Sequence, residues 1–318
     1  MLVRRLLIAV ALYIPLIGSA LAQEKSTDGV LLKWEFKPNQ VFYQTMDTET
    51  KQTMTVMGMN HTQNQKQTFV FSWTPKEQDK EKNWIVIQKI EAVKMNIDLG
   101  GNKVEFDSNN PASTAGNPLG DFFKALVGSE FTLHISPEMK VIKIDGRDKF
   151  QEKLIKANPQ MEPLLKQILS DDALKQMAEP AFGAFPPHAV KKGEKWTKDS
   201  TLNMGPIGSY VTKYTYTYEG KQDKFDKISV VTDLKYQEPG AAGGGELPFQ
   251  IKAAKLESKG ATGTILFDNE KHRVDQSDTK MKLEGKLTIS IGGMNTEVDL
   301  VQDQTTTVKT SDTKPGGK

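Results

Sequence analysis

The sequence predicts a mainly β fold of the α+β class: long, curved antiparallel sheet built from two pseudo-repeats, with a short-helix insertion between them. Three observations carry that expectation. Tyr214-Thr215-Tyr216-Thr217-Tyr218-Glu219-Gly220 sets three rings two residues apart and closes on a turn residue. Side chains alternate between the faces of a strand, so the rings share one face and the threonines the other. Phe69-Val70-Phe71-Ser72-Trp73-Thr74-Pro75 has the same aromatic spacing and a turn signal in the same place. Between these stretches the apolar period changes from strand-like to helical, over residues 145–180.

The elements follow in order. Strand-like sequence starts at Val30, and Lys37-Pro38-Asn39-Gln40 is a turn. Val41-Phe42-Tyr43 opens a long strand rich in Thr, Met and Gln; Gly58 breaks it and Met59 to Thr74 returns, a long hairpin. Trp84 to Leu99 follows. Val93, Met95, Ile97 and Leu99 fall on one face, and the parity slips around Lys89-Ile90-Glu91, which predicts a bulge. Gly100-Gly101-Asn102 turns the chain, Asn109 to Pro118 is a surface loop, and Leu119 to Val127 is a short helix. Phe131, Leu133 and Ile135 share a strand face, and Val141 to Ile144 runs back.

In the insertion, Asp145 is read as an N-cap to a stripe of Phe150, Leu154 and Ile155 that stops at Asn158-Pro159. Met161, Leu164, Leu165, Ile168 and Leu169 fit an amphipathic helix. Ser170 or Asp171 caps a third helix that ends before Pro180. Strand grammar resumes with Lys191-Lys192-Gly193-Glu194-Lys195-Trp196, which aligns with residues 37–42. The tyrosine strand, Phe225 to Tyr236, a glycine loop at Gly240 to Gly245, Phe249 to Leu256 and Gly263 to Asp268 come next. A last hairpin runs from Val274 to Val308 and turns at Gly292-Gly293.

Residues 1–22 read as a secretory signal peptide: Arg4 and Arg5, an apolar run from Leu6 to Ile17, and Ala20-Leu21-Ala22 as the cleavage site. The run is too short for a membrane span, so the mature chain is expected to be exported, periplasmic or extracellular, and not integral to the membrane. The remainder, 23–310, reads as one two-repeat β domain: repeat one about 30–144, the insertion 145–180, repeat two about 188–310, then a disordered tail, 311–318. One sheet system is favoured over two domains, because each copy alone would leave long edges uncovered. Taking Arg4 and Arg5 from 42 basic side chains leaves 40 against 40 acidic ones. A neutral chain offers no field to gather nucleic acid. With no cysteine, packing alone must hold the fold.

The order of parts resembles an uncharacterised family of bacterial secreted proteins. It rests on Trp34 with the Lys37-Pro38-Asn39 turn, the Gly58 and Gly292-Gly293 hairpin tips and the Gly263-to-Asp268 strand. The resemblance implies no activity. A looser likeness, at the level of fold, is to periplasmic half-barrel lipoprotein carriers, in which a curved sheet cups lipid and helices fill its mouth.

No chemistry-bearing constellation stands out. His61, His134, His188 and His272 are scattered, no serine sits in a nucleophile elbow, and the glycine loop lacks the lysine and helix of a phosphate loop. No catalytic residue, metal ligand or cofactor is assigned. Asp171-Asp172 reads as helix capping, and the Asn60-His61-Thr62 sequon as chance. The aromatic rows, Phe69, Phe71 and Trp73 with Tyr214, Tyr216 and Tyr218, are the candidate ligand-binding residues; packing in the core is the competing reading. The expected function is a non-enzymatic secreted or periplasmic protein that binds lipid or another apolar or amphipathic ligand in a curved sheet. The alternative is an envelope interaction module that acts through a surface patch or edge strand.

Overall fold

The computed structural model describes residues 29–110, 118–178, 182–205, 208–239 and 250–316. The leader and the Gly240-to-Gly245 loop lie outside the described residues. Inward and outward side chains alternate along β1 (Phe42–Val56), which pairs without a slip with β2 (Met59–Gln78). β2 pairs β3 (Trp84–Asp98) with a register shift that leaves Glu91 as the extra residue, where the parity of the sequence breaks. β4 (Lys103–Asp107), a strand the sequence did not announce, and β5 (Glu130–Ile135) share the free side of β3. Helix α1 (Pro118–Leu126) lies between them in sequence, and β6 (Val141–Asp145) completes the first half.

The insertion is α2 (Arg147–Ala157), a single 3-10 turn, α3 (Glu162–Ile168) and α4 (Asp171–Ala178). Ser170 caps α4, its hydroxyl accepting the Ala173 N–H at 3.2 Å. Asp145 is not the cap of α2. It ends β6, and its carboxylate accepts from Lys143 and sits 2.9 Å from His134 Nε2. The N-cap is Gly146, at φ +102° without a side-chain bond. A Cβ there would lie 2.7 Å from the Glu130 carbonyl oxygen, so close approach of β5 selects glycine over a capping side chain.

The second half is β7 (Lys195–Asn203), β8 (Ser209–Gln222), β9 (Phe225–Gln237), β10 (Gln250–Ser258), β11 (Ala261–Asp268) and β12 (Arg273–Ile291). β10 and β11 share the space between β9 and β12, as β4 and β5 share the side of β3. Gly285 of β12, at φ +155°, allows β10 to pass: a Cβ would lie 1.9 Å from the Lys255 carbonyl oxygen. β13 (Met294–Ser311) then pairs β12 on one side and β1 on the other, joining the halves.

Among the described residues, thirteen strands thus make one antiparallel sheet in the order β6-β5-β3-β2-β1-β13-β12-β10-β9-β8-β7, with β4 and β11 filling in beside β3 and β9. The sheet curls until both ends of this path meet α4, which packs on β6 and on β7. The edge is sealed chemically as well as sterically, because Gln176 of α4 accepts the backbone N–H of Asn203 at 2.9 Å. One core cluster joins β5, β6, the helices, β8, β9 and β11 around Trp34 and Phe182.

Of the tail expected to be disordered at 311–318, residues 311–316 are described, and three of them are tied to the sheet. Ser311 ends β13, Asp312 bonds Arg273 and Lys271, and Lys314 bonds Glu91 at 2.7 Å. Glu91 is the bulge residue: burial pushes its pKa up, but bonds from Lys314, Ser72 and Lys89 outweigh that and bring it down to about 2.

Candidate ligand site

The two aromatic rows end up in different surroundings. On β8 the alternation is clean, and Tyr214, Tyr216 and Tyr218 are all buried in the main cluster. Tyr216 stacks on Trp196, with centroids 5.4 Å apart and planes at 10°; its hydroxyl is buried and has no hydrogen-bond partner among the described residues. Burial, with Tyr214 beside it, pushes that phenol well above its ordinary range. The Tyr218 hydroxyl donates to Asp226 at 2.6 Å, and Lys221 and Asn269 donate to the other oxygen of the same buried carboxylate.

On β2, Trp73 stacks on Phe42 and meets Phe182 edge-on at 5.2 Å, inside the main cluster. Phe69 and Phe71 stack on each other at 5.8 Å and are half-buried. Phe69 packs instead against a second cluster that includes Val93, Met95, Ile97 and Phe106. The structure therefore unites Trp73 and the three tyrosines and leaves Phe69 elsewhere.

Between the apolar clusters, the inner face of the middle strands is amide and hydroxyl. Along β1 it reads Phe42, Gln44, Met46, Thr48, Thr50, then Met54, all buried. Gln63, Gln65, Gln67, Gln302 and Gln304 are buried beside it. Their amides bond along the strands, Gln65 to Gln67 at 3.1 Å and Gln302 to Gln304 at 3.3 Å, and Gln65 also donates to the Met95 sulfur at 3.5 Å. Such a band avoids the cost of buried unpaired amides by bonding to itself. Alternating Gln in the sequence was the available signal for it, but polar alternation alone reads as a wet face.

A third feature was missed in the sequence. Residues 31–36 alternate out and in, and Leu32, Trp34 and Phe36 enter the core while Glu35 N–H bonds the His272 carbonyl at 3.0 Å. Beside this segment lies a pocket of about 100 Å³. Trp34, Phe36 and Phe42 form apolar wall, and Arg273, Lys271 and Asp312 form polar wall. Arg273 is 6% exposed; its guanidinium lies over the Phe42 ring and donates to Asp312 at 2.5 Å. Lys271 first, then Arg273, hold the Asp312 carboxyl below the usual range against the opposing effect of burial.

The fold and site define a mainly β chain whose single curled sheet is sealed by short helices over an aromatic interior. Residues 81–316 match DUF6263, a family of unknown function, and the chain belongs to that family. No curated protein matches it in sequence. Among solved structures it is similar to lipovitellin, in a structure reporting lipid–protein interactions, at 10% identity and a TM-score of 0.45 over 89% of this chain. The chain spans only about a quarter, 26%, of lipovitellin. It is also similar to the translocator domain of the autotransporter NalP from Neisseria meningitidis, at 7% identity and a TM-score of 0.22, covering 86% of this chain and 89% of that one. Both scores are too low to assign a shared fold.

Proposed function

We propose that the protein is an exported, non-enzymatic binding protein of the bacterial envelope that takes an apolar or amphipathic ligand, of which lipid is the model, against the inner face of its curved sheet. One observation carries this reading: short helices from one contiguous segment cover an aromatic inner face and bridge the sheet's two ends. Within the cover, α2 and α3 are the parts that lift, since α4 is capped by Ser170 and bonded to β7. α2 and α3 have no side-chain cap at their N-termini, and helices this short hold their shape through packing more than propensity. Leu154, Leu165, Leu169 and Leu174 supply that packing, and the rings of β8 and Trp73 lie in the same cluster. A ligand would reach Tyr214, Tyr216, Tyr218 and Trp73 when the helices lift, replacing leucine contacts with its own apolar surface. The two halves of the sheet, each a run of neighbouring strands in chain order with one extra strand beside it, support a reading of two copies facing one interior.

The test is native mass spectrometry of protein exported with its leader and purified without detergent, followed by organic extraction. Mass increments matching an extractable lipid are expected. A bare polypeptide mass and an empty extract would overturn the reading.

A specific observation favours the second reading, a module that acts through its surface. Met57 is 81% exposed, Met59 60% and Met294 74%, all at the tips of the two long hairpins. Large exposed methionines of this kind suit an adaptable contact with a protein partner. Replacing all three by Ser should abolish any complex recovered by cross-linking in the envelope and leave lipid content unchanged.

A further inference from the structure

On the inner face of the middle strands, register assembles a patch of amides and hydroxyls. Thr50 of β1 stands between Gln65 of β2 and Gln304 of β13, and the next rung holds Gln52 between Gln63 and Gln302. Directly paired residues project from the same side of a sheet, so these groups share one surface. Apolar side chains surround it. Met46 and Met54 bound the patch along β1, Ile97 of β3 is paired with Gln65, and Met281 of β12 with Gln304.

Among the described residues, the inner rows hold no Asp, Glu, Lys or Arg from Phe42 to Val56 on β1, from Met59 to Trp73 on β2, or from Met294 to Thr310 on β13. The strands are not short of charge: Asp47, Glu49, Lys51, Lys66, Asp299 and Asp303 all fall on the outer rows. Phe69 and Phe71, the next rungs of the inner row of β2, are half-buried, so the face is not filled at their level. An ion pressed against this face would lose its water and meet no counter-charge, a penalty that a neutral hydroxyl, ester or amide largely escapes. Glutamine amides and threonine hydroxyls both donate and accept, as such neutral groups require.

Building on the reading that lipid lies against this face, we infer that the ligand is an amphiphile whose polar part is uncharged, bearing hydroxyl, ester or amide groups, and not a fatty acid anion or an anionic phospholipid. Its chain lies on Phe69, Phe71 and Trp73, and its polar part on the patch. The amides now bonded to one another, Gln65 to Gln67 at 3.1 Å and Gln302 to Gln304 at 3.3 Å, exchange a neighbour for the ligand at little net cost.

The experiment presents the mature chain with monomyristoylglycerol, methyl myristate and myristate at equal concentration, below their micelle thresholds, and reads the bound share of each by native mass spectrometry. The three have one acyl chain in common and differ at the polar end. Monomyristoylglycerol is expected to exceed myristate by about tenfold or more, with methyl myristate between them. Gln65→Met keeps the bulk, removes an amide, and should cut the preference for monomyristoylglycerol over methyl myristate by about threefold or more. Gln304→Met tests the same rung if that variant does not fold. Myristate bound as well as monomyristoylglycerol, or a preference unmoved by the substitution, would overturn the uncharged assignment and leave lipid binding standing. No adduct with any of the three would overturn both.

Discussion

The strands β2 and β8 carry aromatics at the same spacing, yet they use them differently. On β8 the register with β9 holds through Tyr218 and slips only between Tyr218 and Gly220, so all three rings stay on one buried face. The register of β2 with β3 slips twice, and the first slip, with Glu91 of β3 as the extra residue, falls between Val70 and Phe71, inside the aromatic row. Ring burial then differs: Trp73 is enclosed, while Phe69 and Phe71 are half-buried and divided between clusters. Spacing sets which side of a strand a ring is on; a bulge in the neighbouring strand changes what covers that side. The two rows also differ in polar anchoring. Tyr218 is tied to Asp226, whereas the bulge on the other hairpin puts Glu91 within reach of the C-terminal Lys314.

The largest effect that should separate the rows is ring truncation. Tyr216→Ala removes a fully buried ring and should cost about 3–5 kcal/mol in urea unfolding, while Phe69→Ala, at a half-buried site, should cost roughly half as much. Equal losses would erase the distinction. The second test is pH. Glu91 titrates at about 2 in the folded chain against an ordinary 4.5. Its contribution is therefore complete above pH 4.5 and fades as pH falls toward 2, on the order of 3 kcal/mol in all. Glu91→Gln should flatten that part of an acid-unfolding profile.

The two hydroxyls of β8 sharpen the contrast within one strand. Tyr218→Phe removes a donor from the buried Asp226 carboxylate and should destabilise by about 2 kcal/mol. Tyr216→Phe removes a hydroxyl with no partner among the described residues and should stabilise by about 1 kcal/mol, seen as a higher thermal midpoint. Opposite signs for the same substitution two residues apart are the expected outcome.

Much of this fold is legible in local pattern. The hairpin tips at Gly58 and Gly292-Gly293, the bulge at Glu91 and the Ser170 cap follow from alternation and turn chemistry within a few residues. β4 was not, because five residues with two apolar side chains give too short a signal. Asp145 misled because a good capping residue is also a good partner for His134 and Lys143 across the hairpin. The candidate site divides the same way. The aromatic rows could be read off directly; the pocket could not, since Trp34, Phe42 and Arg273 come from distant segments.

The sequence by itself determined which residues extend, where they turn and which side chains share a strand face, since these depend on neighbours within a turn or a pleat. Only the tertiary structure decided that the sheet curls until α4 bridges its ends, that glutamines line its middle, and that Asp312 and Lys314 hold the last strand's end to Arg273 and Glu91. The reason is physical. Curvature accumulates over many strands, and contacts such as Lys314 with Glu91, 223 residues apart, exist only once that accumulation brings the two surfaces together.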